Sequence, residues 1–259
     1  MENRLDALLP VYSIWLRDLL RFVRQRSRVV GSLATPILFW FVLGSGLGRS
    51  FSATGDAAGG GYLEYYFAGT IALIVLFTSI FSTISIIEDR REGFLQGVLA
   101  SPASRTSIVL GKVLASTTLA AINAAIFLVL APFAGIPLTP LSIISTLGIV
   151  VIIGVGLSGL GVLIAWSLDS AQGFHAIMNL VLVPMWLLSG AFFPASGAMD
   201  WVRALMALNP LTYGVAALRD AVYDGRLEAA SGQSLAITVA FGIVMVGLAT
   251  ALASRPMRT

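Results

Sequence analysis

The chain contains no cysteine, so disulfides and thiolate metal sites are excluded and the redox compartment leaves no signature. Charge is scarce too. Asp, Glu, Lys and Arg make up 11% of the residues, against about 25% in an average soluble domain. Too little polar surface exists to face water on all sides. There is one histidine, His175, and no apolar stretch carries a charge near its middle. A proton relay needs several buried ionisable groups along a path, so a relay, an ion-coupled pump and a small-ion channel are all disfavoured. No nucleophile–base pair and no metal-ligand cluster is present, so no catalytic or metal-binding residue is assigned.

What the chain has is apolar length. Hydrophobic residues make up 57% of it, and the mean hydropathy is +0.90. A helix needs roughly 20 apolar residues to cross the hydrocarbon core. Charge-free gaps of that size run from Arg28 to Arg49, Glu64 to Glu88, Asp169 to Asp200 and Glu228 to Arg255. The gap between Lys112 and Asp169 is 56 residues, enough for two crossings, with Pro132, Gly135, Pro137 and Pro140 suited to a turn between them. Barrel-type alternation is absent. The expected fold is therefore an all-α integral membrane protein forming one transmembrane domain, 1–259. Its spans fall at 29–48, 62–87, 106–134, 141–167, 173–193 and 233–254, with Pro184 as a kink in the fifth. The first 28 residues are charged throughout and lack the short apolar core of a cleaved leader.

Six spans put both termini on one side. If that side is the cytoplasm, 12 of the 16 Lys and Arg lie inside, as the positive-inside rule favours. The net charge of +3 then reflects topology. Nucleic-acid binding is not expected, because the basic residues flank spans and build no basic domain.

Four polar segments carry the rest. Residues 10–28 form an amphipathic helix: Val11, Trp15, Leu19, Phe22 and Val23 share one side, Arg17, Arg21, Arg24 and Arg28 the other. Such a helix suits the cytoplasmic interface beside anionic lipid headgroups, as an anchor or as a contact for a cytoplasmic partner. Arg49 to Gly61 is a glycine-rich outer loop, followed by Tyr62, Tyr65 and Tyr66, which suit an outer aromatic belt. Residues 88–105 open with a charge cluster and continue as a short amphipathic helix with Phe94, Leu95, Val98 and Leu99 on one face. Ser101-Pro102 ends that helix, and Ser104 is placed to cap the next. A connector that only turned would need no apolar face, so the pattern suits docking to another protein. Finally, 195–228 reads as a pair of short re-entrant outer helices, which would gate an exit or plug the mouth of the bundle.

Two motif matches fail on context. Gly154, Gly156 and Gly159 satisfy the dinucleotide fingerprint but lie inside an apolar span without a preceding strand, so close helix packing explains them. Gly111-Lys112 lacks the first glycine and the Ser or Thr of a phosphate-binding loop. ATP binding by this chain alone is not expected.

The chain resembles the permease subunit of type-2 ATP-binding-cassette (ABC) exporters, the group that includes permeases for drugs, lipo-oligosaccharides and polysaccharides. Three stretches carry the likeness. The first is Glu88-x-Arg90-Arg91-Glu92-Gly93 with Leu99-x-Ser101-Pro102-x-Ser104-Arg105. The second is Leu188-Ser189-Gly190-x-Phe192-Phe193-Pro194, and the third Asn209-Pro210-Leu211-Thr212-Tyr213-Gly214 with Arg219 after it. The resemblance implies a half-transporter in the inner (plasma) membrane of a prokaryote. A second permease chain, identical or a paired homologue, would complete the pathway, and ATP with its Mg would sit on separate ATP-binding subunits. It further implies that Trp15, Arg17, Arg21, Arg24 and Arg28 belong to an interface helix. Glu88, Arg90, Arg91, Glu92, Gly93, Phe94, Leu95, Val98, Leu99, Pro102 and Arg105 would couple to the ATPase. Phe192, Phe193, Pro194, Asn209, Pro210, Tyr213 and Arg219 would form the outer gate. The cargo would be amphiphilic or lipid-linked. Two rival classes are half of an ion-coupled secondary transporter and a non-transporting membrane assembly factor.

Overall fold

The computed structural model describes residues 2–47, 61–101, 103–223 and 232–255. The expected outer loop at 49–60, Pro102 and the end of the outer segment at 224–228 lie outside them. Eleven α-helices and no strand occur among the described residues: α1 (Glu2–Arg24), α2 (Arg26–Leu47), α3 (Tyr62–Phe81), α4 (Ser85–Arg91), α5 (Phe94–Ala100), α6 (Arg105–Leu128), α7 (Pro140–Ser167), α8 (Ala171–Leu187), α9 (Asp200–Leu208), α10 (Pro210–Tyr223) and α11 (Gly232–Ser254).

Five of the described stretches are long and apolar enough to cross a membrane: Val30–Leu47, Tyr62–Arg91, Arg105–Leu128, Pro140–Ser167 and Gly232–Ser254. The second of these runs through α3, a 3-10 turn at Ser82–Ile84 and α4. The expected span at 173–193 falls on α8, which has 17 residues, about 26 Å at 1.5 Å per residue and at the lower limit of a crossing helix. Beyond Leu187 the chain leaves the helix for a turn through Gly190, whose φ is +76°. The amphipathic helix expected at 10–28 occupies 2–24 instead. It closes with the Gln25 N–H donating to the Phe22 carbonyl, and Arg28 lies in the first turn of α2.

The helix ends follow local chemistry. Thr139 and Ser142 cap α7 reciprocally with Pro140 in the first turn, and the Ser104 hydroxyl accepts the Ser107 N–H at the start of α6, as its position predicts.

Helix α3 is the most enclosed span, with Phe67, Ile71, Ile74 and Leu76 fully buried. Helix α7 packs against α11, α6, α10 and α3, while α2 and α11 lie at the edge with Leu38, Phe41, Ile243 and Val244 exposed. Lipid is as apolar as leucine, so such exposure costs nothing in a bilayer, and span association depends on close packing. The α7 glycines supply it. A Cβ on Gly159 would stand 2.9 Å from the Val246 backbone nitrogen of α11, and one on Gly161 2.7 Å from the Thr83 hydroxyl. Gly159→Leu is therefore expected to part α7 from α11 and cost about 1–3 kcal/mol, read as a lowered unfolding midpoint in detergent.

Candidate functional site

The two ends of the bundle differ in chemistry. One end carries α1, α4, α5 and a dense set of ionic groups. The other carries tyrosines, α9, α10 and the turn after α8.

At the charged end α4 stops at Arg91, and Gly93 adopts φ +79° before α5 begins. A side chain is strained in this left-handed conformation, so glycine makes the elbow cheaply. Helix α5 has seven residues. Leu95 is 2% exposed and seated in the core, with Val98 and Leu99 half-buried beside it, whereas Phe94 is 40% exposed. This corrects the expected apolar docking face: Leu95, Val98 and Leu99 form the seated side of α5. Phe94 stays outside with Gln96 and Gly97. The Arg17 guanidinium lies 3.7 Å over the Phe94 ring, a cation–π contact from α1.

The arginines of α1 also point elsewhere than expected. Asp89 of α4, 1% exposed, receives Arg17, the Arg21 Nη1 at 3.0 Å and the Lys112 Nζ at 2.6 Å. Lys112 also meets Asp18 at 2.8 Å and the Ser85 hydroxyl at 3.0 Å. Arg21 extends the cluster to Glu92 at 2.9 Å and Glu88 at 3.4 Å. Burial works to lower the Arg21 pKa, but Glu88, Glu92 and Asp89 outweigh it and hold the guanidinium above its usual range. Arg17 and Arg21 thus face protein carboxylates. Arg24 is exposed, and the Trp15 indole donates to the Thr118 hydroxyl of α6 at 3.1 Å. An open groove of about 450 Å³ runs along Arg17, Leu20, Arg21, Arg24, Glu92 and Phe94.

Arg90, Arg91 and Arg105 bind helix ends. Arg90 donates to the Trp166 carbonyl at 3.0 Å, the Leu168 carbonyl at 3.1 Å and Asp169 at 2.8 Å. Arg91 reaches the Asp169 carbonyl at 3.3 Å. Arg105 donates to the Ala253 and Arg255 carbonyls at 3.0 and 2.6 Å. Cations there complement the negative C-terminal ends of α7 and α11. Asp18, Asp89 and Lys112 were missed as site residues. Lys112 follows Arg105 by seven positions, two turns along one helix face, which was the available signal.

At the aromatic end, Tyr62 and Tyr66 are buried at 1% and 0%. They pack with Trp186 and Phe192, so they are core residues and form no lipid-facing belt. Side chains from α3, α10 and Asn209 hold carbonyls at the end of α8 and in the turn after it. Tyr62 donates to Phe192 at 2.9 Å, Tyr65 to Gly190 at 2.9 Å, Arg219 to Gly190 at 2.6 Å, Thr212 to Leu188 at 3.3 Å and Asn209 to Met185 at 2.6 Å. Arg219 also lies 4.1 Å from the Tyr65 ring. Asn209 caps α10 through the Leu211 N–H ahead of Pro210, and Tyr213 donates to Ala207 of α9. Phe193 and Pro194 are half-buried at the turn's exit.

Between these ends an apolar cavity of about 780 Å³ opens among α2, α3 and α8. Phe39, Phe77, Phe81 and Trp186 line it, with Thr35, Thr78, Glu88 and His175 as polar points. His175 is exposed and stacks near Phe81 at 5.2 Å between centroids, while Asp169 is engaged by Arg90.

Residues 10–223 match the family model described as ABC-2 type transporter. The chain is 26% identical over 232 residues to Nodulation protein J of Sinorhizobium fredii (strain NBRC 101917 / NGR234), covering 86% of this chain and 87% of that protein. It is 25% identical over 246 residues to Nodulation protein J of Rhizobium meliloti (strain 1021), covering 94% and 92%. A third relative, ycf38 of Cyanophora paradoxa, bears a name describing a transport permease and is 24% identical over 205 residues, covering 78% of this chain and 70% of its own length. With the multi-span helical bundle and a family match over most of its length, the chain belongs to the ABC-2 type transporter family, as a membrane permease of an ABC transporter.

Proposed function

We propose that this chain is one half of the permease of an ATP-driven exporter in a prokaryotic inner membrane, moving an amphiphilic or lipid-linked molecule outward. Membership of an ABC permease family implies an ATP-binding partner. That partner holds ATP and its Mg, and it grips the charged end, which the distribution of basic residues puts in the cytoplasm with both termini. A second permease chain and the surrounding lipid complete the pathway. The observation that carries this reading is α5 itself. It is a short helix fixed by Leu95 on one side, with Phe94 held outward beneath Arg17 on the other. Docking of an engine needs that combination of an exposed anchor on a rigid seat. The cavity among α2, α3 and α8 favours the cargo class: aromatic walls suit an acyl or ring system, and a few polar points suit a head group.

The test is co-purification of a Walker-motif ATPase expressed with the permease. Wild type is expected to retain it, and Phe94→Glu to lose about tenfold or more of it, since a central aromatic anchor is commonly worth that much. Equal retention by Phe94→Glu would overturn the docking assignment. A wild-type chain that transports without such an ATPase, driven by an ion gradient, would overturn the exporter reading altogether.

A further inference from the structure

Helix α4 stands between two weak joints. On one side the 3-10 turn at Ser82–Ile84 interrupts the run from α3; on the other is the left-handed elbow at Gly93. A short helix between two joints swings when pushed, and the movement ends there. Arg90 joins the far end of α4 to the end of α7, but force applied at α5 reaches α6 and α1 only if α4 is also tied sideways to them.

We propose that Lys112 is that tie, a positioning residue for the ATP-driven step that makes α1, α4 and the base of α6 one rigid lever. The inference rests on the docking of the ATP-binding partner at α5. Lys112 belongs to α6, is 2% exposed and sits between two carboxylates from different helices, Asp18 of α1 at 2.8 Å and Asp89 of α4 at 2.6 Å. The Ser85 hydroxyl at 3.0 Å grips the first turn of α4 as well. The first residue of that seven-residue helix and Asp89, one turn on, are thus held by one ammonium group. Asp89 passes the tie to Arg17, whose guanidinium rests on Phe94 of α5. The chain of contacts from the exposed face of α5 to the span is unbroken: Phe94, Arg17, Asp89, Lys112. Packing around it is close, since a Cβ on the neighbouring Gly111 would stand 2.9 Å from Ile14 of α1. A buried lysine held this way has a single arrangement, which is what force transmission needs. An interaction merely serving stability could be apolar at lower cost.

The absence of cysteine gives a direct test. Thiols introduced at Gln96→Cys on α5 and Ile126→Cys on α6, both exposed positions, are spin-labelled in this chain before it is assembled with its ATP-binding subunit, and their separation is measured in the complex with labelled chain diluted by unlabelled. With Lys112 in place, the distance distribution is expected to be unchanged by trapped ATP, because α5 and α6 move together. With Lys112→Met, ATP is expected to shift the labels by about 2 Å or more, the scale of helix shifts in switching proteins, and Lys112→Arg is expected to restore most of the wild-type behaviour. The double variant Asp18→Asn with Lys112→Met removes both members of one pair and serves where Lys112→Met alone does not assemble. An ATP-dependent shift in the wild-type distance, or an unchanged distance in both methionine variants, overturns the proposal. The docking reading fails separately: an ATP-binding subunit that binds Phe94→Glu as well as wild type removes the grip at α5 without touching the distances.

Discussion

Replacement of Asp89 by alanine is expected to be among the most damaging single changes in the charged half of the molecule, costing about 3–5 kcal/mol. Asp89 is 1% exposed and accepts from three cations, Arg17, Arg21 and Lys112. Losing it strands Lys112 with Asp18 and the Ser85 hydroxyl, and leaves two guanidinium groups without their inner partner. Asp18, Glu88 and Glu92 still balance the three cations, so the cost is that of breaking a buried pair from one side: a buried ammonium and two guanidinium groups lose the acceptor they share, and this exceeds the net worth of the pairs themselves. Asp89→Asn keeps the shape and an acceptor, so it is expected to fall between wild type and alanine. The pair Arg203–Asp200 on α9 serves as control. Its carboxylate is 94% exposed, and Asp200→Ala is expected to leave the melting midpoint in detergent unmoved, as for most surface pairs. If Asp89→Ala is within about 1 kcal/mol of wild type in stability, the cluster does not depend on Asp89 as its shared acceptor.

The same cluster marks the limit of what the chain discloses before folding. Spans are legible because their signal is one-dimensional: a charge-free run of about 20 residues has few other readings. The Ser104 cap and the packing glycines of α7 are legible for the same reason, since their partners lie within a few residues or on one helix face. Lys112 is different. A lysine near a span boundary reads as a cytoplasmic flank, and only the approach of α1 from about a hundred positions away turns it into a buried group between two carboxylates. The tyrosines misled in the opposite sense. Tyr62, Tyr65 and Tyr66 at the start of a span match an interfacial belt by composition, yet their partners Phe192 and Gly190 arrive from more than 120 positions on. Leu95 and Phe94 are adjacent and equally apolar, and no periodicity of seven residues tells which of them α5 will seat. The rotation imposed at Gly93 decides it.

At the aromatic end a single methyl group is expected to have an effect comparable with the loss of Asp89. A Cβ built on Gly69 of α3 would collide with the Ala191 carbonyl oxygen and lie 2.9 Å from its carbon. That obstacle is backbone and has no rotamer to yield. The Gly69 carbonyl also accepts the Trp186 indole N–H at 3.1 Å. Gly69→Ala must therefore lift the turn at 188–193 away from α3. The lift stretches the Tyr62–Phe192 and Tyr65–Gly190 hydrogen bonds and displaces Gly190 from Arg219. Overpacking against a fixed wall costs about 1–3 kcal/mol, and each strained hydrogen bond adds about 1 kcal/mol, so about 3 kcal/mol or more is expected in total. The reading is a lower melting midpoint together with faster hydrogen exchange at the Gly190 and Ala191 amides. Gly69→Ala with wild-type exchange there would mean that the turn yields freely. The anchoring of its carbonyls by α3 and α10 would then be too weak to hold the tyrosine end of α8 in place. If exchange rises only around 188–193 while α10 keeps its protection, the turn is a separable unit clamped by Tyr62, Tyr65 and Arg219, and those three side chains set how firmly it is held against α3.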